Sequence, residues 1–96
     1  MIVAFAHTKT QTERIWGGQR SKHVPAEIQN RALAKLMLLH AADSLDDLRN
    51  PPGNRLHDLT HDRVGQHSIS INRQWRICFR FKDGNAYDVE IVDYHD

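Results

Sequence analysis

Trp75-Arg76-Ile77-Cys78-Phe79-Arg80-Phe81 alternates between large apolar side chains and charged or small ones. It runs through Lys82-Asp83-Gly84-Asn85 into Ala86-Tyr87-Asp88-Val89-Glu90-Ile91-Val92. A period of two marks a strand with one buried face. Asp-Gly between two such runs marks a tight hairpin, since that turn needs left-handed backbone at its centre. Pairing about the turn sets opposite each other residues whose numbers sum to roughly 167, so Arg76 should fall near Ile91. Upstream, His67-Ser68-Ile69-Ser70-Ile71-Asn72 alternates as well, and Asn72-Arg73-Gln74 supplies the turn between the two runs. These three runs predict an antiparallel meander.

Parity then assigns faces. Trp75, Ile77, Phe79 and Phe81 share one side of the sheet, with Ile69 and Ile71. Arg76, Cys78 and Arg80 share the other, with Ser68 and Ser70. The apolar side needs a cover, and the first half of the chain supplies it. Ile28, Ala32, Leu36 and Leu39 recur at spacings of four, four and three, which predicts one apolar stripe on a helix opening at Pro25 and ending at His40 or Ala41. Glu27 suits the positive end of that helix. A shorter helix is expected from Thr8 to Trp16, with Thr8 or Thr10 as its cap and Gly17-Gly18 as its stop. Residues 2–6, Ile-Val-Ala-Phe-Ala, predict a short buried strand. Residues 43–54, rich in Asp, Asn, Pro and Gly, predict a surface connector with a turn of helix at 45–48. The expected architecture is α+β: an N-terminal strand, two helices, then the meander, with both helices on one sheet face.

The chain has 96 residues, enough for a single domain spanning 1–96 and no second one. No apolar run approaches the roughly 20 residues of a membrane span. The opening Met1-Ile2-Val3-Ala4-Phe5-Ala6-His7 shows neither a basic leader nor a cleavage site, and the single cysteine, Cys78, excludes an internal disulfide. A reducing cytoplasmic setting, with no membrane partner, is therefore expected. Net charge is only +1, which argues against direct DNA binding by the chain alone. The charge is unevenly spread: residues 1–42 carry six Lys or Arg against two Glu, an excess of +4. Seven histidines would make the protein clearly cationic below about pH 6.5.

Three stretches carry reactive groups: Arg55-Leu56-His57-Asp58-Leu59, Asn72-Arg73-Gln74-Trp75-Arg76-Ile77 and Val92-Asp93-Tyr94-His95-Asp96. RNA cleavage without metal needs a base for the ribose 2′-hydroxyl, an acid for the leaving 5′-oxygen and a cation for charge growing on the phosphate. Histidine suits the first two tasks because its unperturbed pKa, about 6.5, lies near working pH. Arginine suits the third because its fork matches two phosphate oxygens. His57, His95 and Arg76 are these groups. Asp93 could orient a histidine or the ribose, and Tyr94 could stack on a base or donate a proton. The spacing His57-x-x-x-His61 would suit a metal on a helix, but Asp58 and the following Asp62-Arg63-Val64-Gly65 oppose a helix there, and no metal or other cofactor is expected.

Taken together, the motifs resemble HigB toxins, also known as plasmid maintenance killer proteins, a branch of the RelE superfamily. The resemblance runs through Phe5-Ala6-His7, Val24-Pro25, Arg55–Leu59, His67–Asn72, Trp75-Arg76-Ile77, Asp83-Gly84-Asn85-Ala86-Tyr87 and Asp93-Tyr94-His95. It implies a RelE-like microdomain acting as a ribosome-dependent endoribonuclease that cuts translated messenger RNA in the decoding site, against 16S ribosomal RNA, and arrests growth. It implies a HigA-like antitoxin with a helix-turn-helix fold, through which alone the toxin would meet DNA. Carried over by motif, the family's catalytic positions fall on His57, Arg76, Asp93, Tyr94 and His95, and Lys22, Arg63, Arg73 and Arg80 are the further RNA-contacting candidates. Relatives often carry a lysine a few residues after the first histidine. This chain has Thr60-His61 there, so His61 or Arg63 would have to replace it. The rival reading is a binding module without catalysis that blocks the ribosome or tunes antitoxin binding to DNA, since a fold alone does not establish an activity.

Overall fold

A computed structural model describes residues 1–6 and 10–93. Helices α1 (Thr10–Trp16) and α2 (Ala26–Ala41) precede four strands: β1 (His57–Asp58), β2 (His67–Ser70), β3 (Trp75–Lys82) and β4 (Asn85–Asp93). The strands form one antiparallel sheet in the order β1-β2-β3-β4. Residues 1–6 lie parallel to β4 along its outer edge through isolated bridges at Ile2–Ala86 and Phe5–Val89. The predicted first strand is thus an edge ribbon, and β1 is a short strand that hydropathy did not signal.

The hairpin follows the Asp-Gly signal: Asp83 and Gly84 have φ of 52° and 79°, both left-handed, as that turn requires. Register sums are 167 near the turn (Arg80–Tyr87, Phe81–Ala86). Beyond a bulge they become 168, so Arg76 pairs with Val92 rather than Ile91. Asp88, at φ 52°, is the extra residue. The bulge lets Ala86, Val89 and Ile91 all face the core, which a regular strand could not do with a three-residue step.

The stripe Ile28, Ala32, Leu36 and Leu39 is buried against Ile69, Ile77, Phe79 and Val89, together with Ile15 from α1. Leu36 and Leu39 are fully buried, each contributing about 1.5–3 kcal/mol of apolar burial. Pro25 stands one place before α2, with φ −51° and ψ 135°. Glycine stops α1 as expected: Gly18 takes φ 83°, and Gln19 N–H donates back to the Arg14 carbonyl at 2.7 Å. The exposed side of β4 is closed where residues 1–6 leave it, because Thr12 Oγ1 accepts the Ile91 N–H at 2.9 Å.

The connector is anchored by Asn54, which is fully buried. Its amide donates to the Leu48 and Asn50 carbonyls, each at 3.1 Å, and its carbonyl accepts from Lys35 Nζ. Removing it orphans the buried Leu48 carbonyl and loosens the bonds to Asn50 and Lys35. Asn54→Ala should therefore lower stability by roughly 1–3 kcal/mol, read as a lower urea midpoint at unchanged slope. An unmoved midpoint would show that the connector is held some other way.

Candidate active site

The sheet face away from the helices carries the reactive groups, but it is not bare. Ser68 and Cys78 are fully buried there and Glu90 nearly so. The segment between β1 and β2 folds over them: Arg63 Nη1 reaches Glu90 Oε1 at 2.7 Å and Gln66 Oε1 at 3.0 Å. Gly65 permits the close approach, since with φ +89° a Cβ there would sit 2.7 Å from Arg80 Nη1. This corrects the expectation of a face left open by the helices. Leu59 and Cys78 are buried outside the main core. Burial raises the Cys78 thiol to about 11, with smaller effects from Arg63, Glu90 and Arg76. The neutral thiol is the form that folding favours. Its contribution to stability is whole below about pH 8.5, the unfolded value, and is lost as pH rises towards about 11.

Cross-strand register sets the reactive groups in rows. His57 pairs with Ser68, Ser68 with Cys78, and Cys78 with Glu90; the next row holds Ser70, Arg76 and Val92. Arg76 Nη1 reaches diagonally to Ser68 Oγ at 2.9 Å. His57, exposed and paired with Ser68, therefore shares this face with Arg76.

Beyond Arg76 the surface opens into a cleft of about 260 Å³ lined by Arg31, Arg55, Arg73, Arg76, Ser70 and Asn72, among others, and among the described residues no acidic side chain is in its wall. Four different elements deliver the four arginines. Arg31 comes from α2, with its Nη1 3.5 Å from the Ile71 carbonyl. Arg73 is at the tip of the β2–β3 turn, which Asn72 pins by accepting the Gln74 and Trp75 N–H groups at 2.8 and 2.7 Å. Arg55 follows the turn of helix at Pro52–Asn54 and takes φ 47° and ψ 53°. A left-handed arginine costs roughly 1–2 kcal/mol, and such outliers gather at functional sites. Lys35 feels the same crowding of charge: desolvation and then Arg31 hold its ammonium below the ordinary value.

Of the residues expected from sequence, Arg73 and Arg76 share the cleft, and His57 borders Arg76 through Ser68. Asp93 pairs in register with Trp75, so alternation sends its side chain to Trp75's side of the sheet, where Oδ1 accepts from Gln74 Nε2 at 2.9 Å. Tyr94 and His95 lie outside the described residues. Arg63 is tied to Glu90. Arg80 binds Asp88 at 3.2 Å and stands about 13 Å along β3 from Arg76. Lys22 lines a different cleft. His57 and His61 do not share a helix, since His57 is in β1 and His61 opens a 3₁₀ turn. Among the described residues no group of three or more His, Cys, Asp or Glu is placed to hold a metal ion. Sequence reasoning missed Arg31 and Arg55. A basic residue on the polar side of α2 carries no signal of its own, whereas Gly53-Asn54 before Arg55 did hint at unusual backbone.

The profile of a family described as the RelE-like toxin of type II toxin–antitoxin system HigB matches residues 5–95. Toxin HigB-1 of Vibrio cholerae is 41% identical over 68 residues, 71% of this chain and 72% of that one. Endoribonuclease HigB of Proteus vulgaris is 38% identical over 72 residues, 75% and 77% of the two chains. The crystal structure of YafQ from E. coli strain BL21(DE3) superposes with a TM-score of 0.56 over 91% of this chain and 84% of that one, at 15% identity, which is a likeness of fold. The chain belongs to the HigB-like toxins, the RelE-like toxins of type II toxin–antitoxin systems.

Proposed function

We propose that this toxin is an endoribonuclease that cuts translated messenger RNA on the ribosome, with the phosphodiester lying across Arg76. The observation that carries the reading is the cleft where Arg31, Arg55, Arg73 and Arg76 converge, with no acid among the described residues of its wall; His57 pairs with Ser68, which Arg76 engages. One relative is named an endoribonuclease. Phosphate oxygens are acceptors only, and a guanidinium offers paired donors. Arg76 stabilises charge on the scissile phosphate, while Arg31, Arg55 and Arg73 hold its neighbours in register. One histidine removes the proton from the ribose 2′-hydroxyl as its oxygen attacks phosphorus. The other protonates the departing 5′-oxygen, leaving a cyclic phosphate. His57 and His95 share these two tasks, Tyr94 stacks on a base, and Asp93 acts on the tail through its bond to Gln74. The partners are the ribosome, with its 16S RNA at the decoding site, and a HigA-like helix-turn-helix antitoxin that carries any contact with DNA. Membership of a type II family implies the antitoxin. Among the described residues no helix is long and apolar enough to cross a membrane, in keeping with a cytoplasmic site of action.

The test is to map new RNA ends in a purified translation system given wild type, His57→Gln or His95→Ala. New ends inside translated messages with wild type, and their loss in both variants, are expected. A zinc-selective chelator should leave cutting unchanged. Arrest of translation without new ends would make the protein a steric blocker.

Arg55→Gly separates function from stability. Glycine adopts the left-handed backbone without strain, so the thermal midpoint should hold or rise while cutting falls by on the order of tenfold through a lost phosphate contact. Equal activity would remove Arg55 from the site.

A further inference from the structure

Strand β1 is two residues long and stands at the end of the sheet, with β2 as its neighbour. So short a strand has little backbone pairing of its own to fix its orientation. His57 pairs with Ser68 and Asp58 with His67, and the Leu59 N–H donates to the Gln66 carbonyl at 2.9 Å. Successive side chains point to opposite sides of a sheet. His57 therefore shares the row of Ser68, Cys78 and Glu90, while Asp58 shares that of His67 and Phe79.

The second row carries a side-chain bond. His67 Nδ1 and Asp58 Oδ1 stand 2.6 Å apart. An ionised carboxylate only accepts, so the imidazole donates through Nδ1, and it can do so whether neutral or protonated. The Asp58 side chain is 85% exposed and that of His67 18%, which makes the histidine the fixed member of the pair. Its ring centroid lies 5.9 Å from that of Phe79, which is fully buried. The row thus runs from the core to the edge of the sheet: Phe79 seats His67, and His67 holds Asp58. On the other side of His57, Leu56 packs against the main core and Asn54 is buried with its own bonds. An ion pair with one member so exposed adds little to stability. What it restricts is the roll of the edge strand that carries His57.

We propose that Asp58 and His67 form a clamp that orients His57 for proton transfer. The inference rests on the nuclease reading, which gives His57 its task. Both are positioning residues, because their row faces the side of the sheet opposite to the one that His57 shares with Arg76. Tethering Asp58 on one side sets the direction in which the preceding side chain leaves on the other. Proton transfer needs heavy atoms within about 2.6–3.2 Å, so a small roll of β1 takes the ring out of reach. A misplacement of about 1 Å can cost on the order of 10²-fold in rate. Neither Asp58 nor His67 lines the arginine cleft, so the clamp governs the chemical step and not the hold on phosphate.

The test has two arms. In the first, single-turnover cutting of a translated message is measured against toxin concentration for wild type, Asp58→Ala, Asp58→Asn and Asp58→Ala/His67→Gln. Asp58→Ala, at an exposed position, should leave the thermal midpoint close to wild type and the half-saturating concentration unchanged, while the saturating rate falls on the order of tenfold through lost orientation. Asparagine keeps an acceptor for the His67 Nδ1–H, so Asp58→Asn should recover most of the rate. The double variant should be no slower than Asp58→Ala, as expected of two residues that act through one bond. In the second arm, the His57 ring signals of the isolated toxin are followed by NMR. Wild type should show defined NOEs from the ring to Ser68, and Asp58→Ala should weaken them. A wild-type rate in Asp58→Ala overturns the clamp, as does an Asp58→Asn variant as slow as alanine, or a His57 ring that alanine leaves unchanged. The second arm needs no cleavage. A chain that cuts no RNA but whose His57 ring loosens in Asp58→Ala would sink the nuclease reading and leave the clamp standing.

Discussion

Arg76→Ala should lower the rate of RNA cutting by on the order of 10²–10³ while leaving a folded protein. The magnitude follows from removing one preorganised donor to charge that grows in the transition state. The structural cost is small by comparison. Arg76 leaves the sheet on the face away from the main core, and its Nη1 donates to Ser68 Oγ at 2.9 Å. Loss of that bond leaves one buried hydroxyl to be satisfied, a penalty of about 1–3 kcal/mol. Arg76→Lys sharpens the test, because it keeps the charge and loses the fork. An intermediate rate for lysine assigns the residue to phosphate recognition through both properties. A folded alanine variant that cuts at the wild-type rate removes Arg76 from the reaction.

Phe79→Ala should have the largest effect on stability. The ring is fully buried at the centre of β3, with the His67 ring centroid at 5.9 Å and that of Phe81 at 6.4 Å. Truncation at such a site costs about 3–5 kcal/mol, the lost burial plus the cavity left behind. A small domain has on the order of 5–15 kcal/mol in total. The melting temperature of the isolated protein should therefore fall by on the order of 20 °C. The measurement belongs on the toxin alone, because a bound antitoxin stabilises the native state by mass action. A fall of only a few degrees would mean that the helices close over the gap and that the core is less tightly specified than Ile77, Phe79, Leu36 and Leu39 suggest.

The fold was legible where one periodicity governed a whole element. The stripe Ile28, Ala32, Leu36, Leu39 and the alternation from Trp75 to Phe81 each depend on one local geometry, and both faces came out as read. The register slipped by one beyond Asp88 because a bulge conserves neither parity nor sum, and nothing in Tyr87-Asp88-Val89 announces it. The two-residue strand at His57 is too short to carry a pattern, and its pairing with Ser68 comes from tertiary docking. The site was legible in part for a similar reason. Arg73 and Arg76 sit on the hairpin that sequence could place. Arg31 and Arg55 reach the same cleft from a helix and a connector whose approach depends on the packed core and on Asn54. Arg63, expected from the motifs as an RNA contact, is engaged by Glu90.

The central claim is that RNA phosphate lies in the cleft lined by Arg31, Arg55, Arg73 and Arg76. It can be tested by titrating ¹⁵N-labelled protein with a tetranucleotide whose ribose at the scissile step is 2′-deoxy, which binds without being cut. The largest amide shifts are expected at Gly53, Arg55, Ser70, Asn72, Arg73 and Arg76, with His57 following. Shifts confined to α1 and α2, with those amides unmoved at saturation, would contradict it.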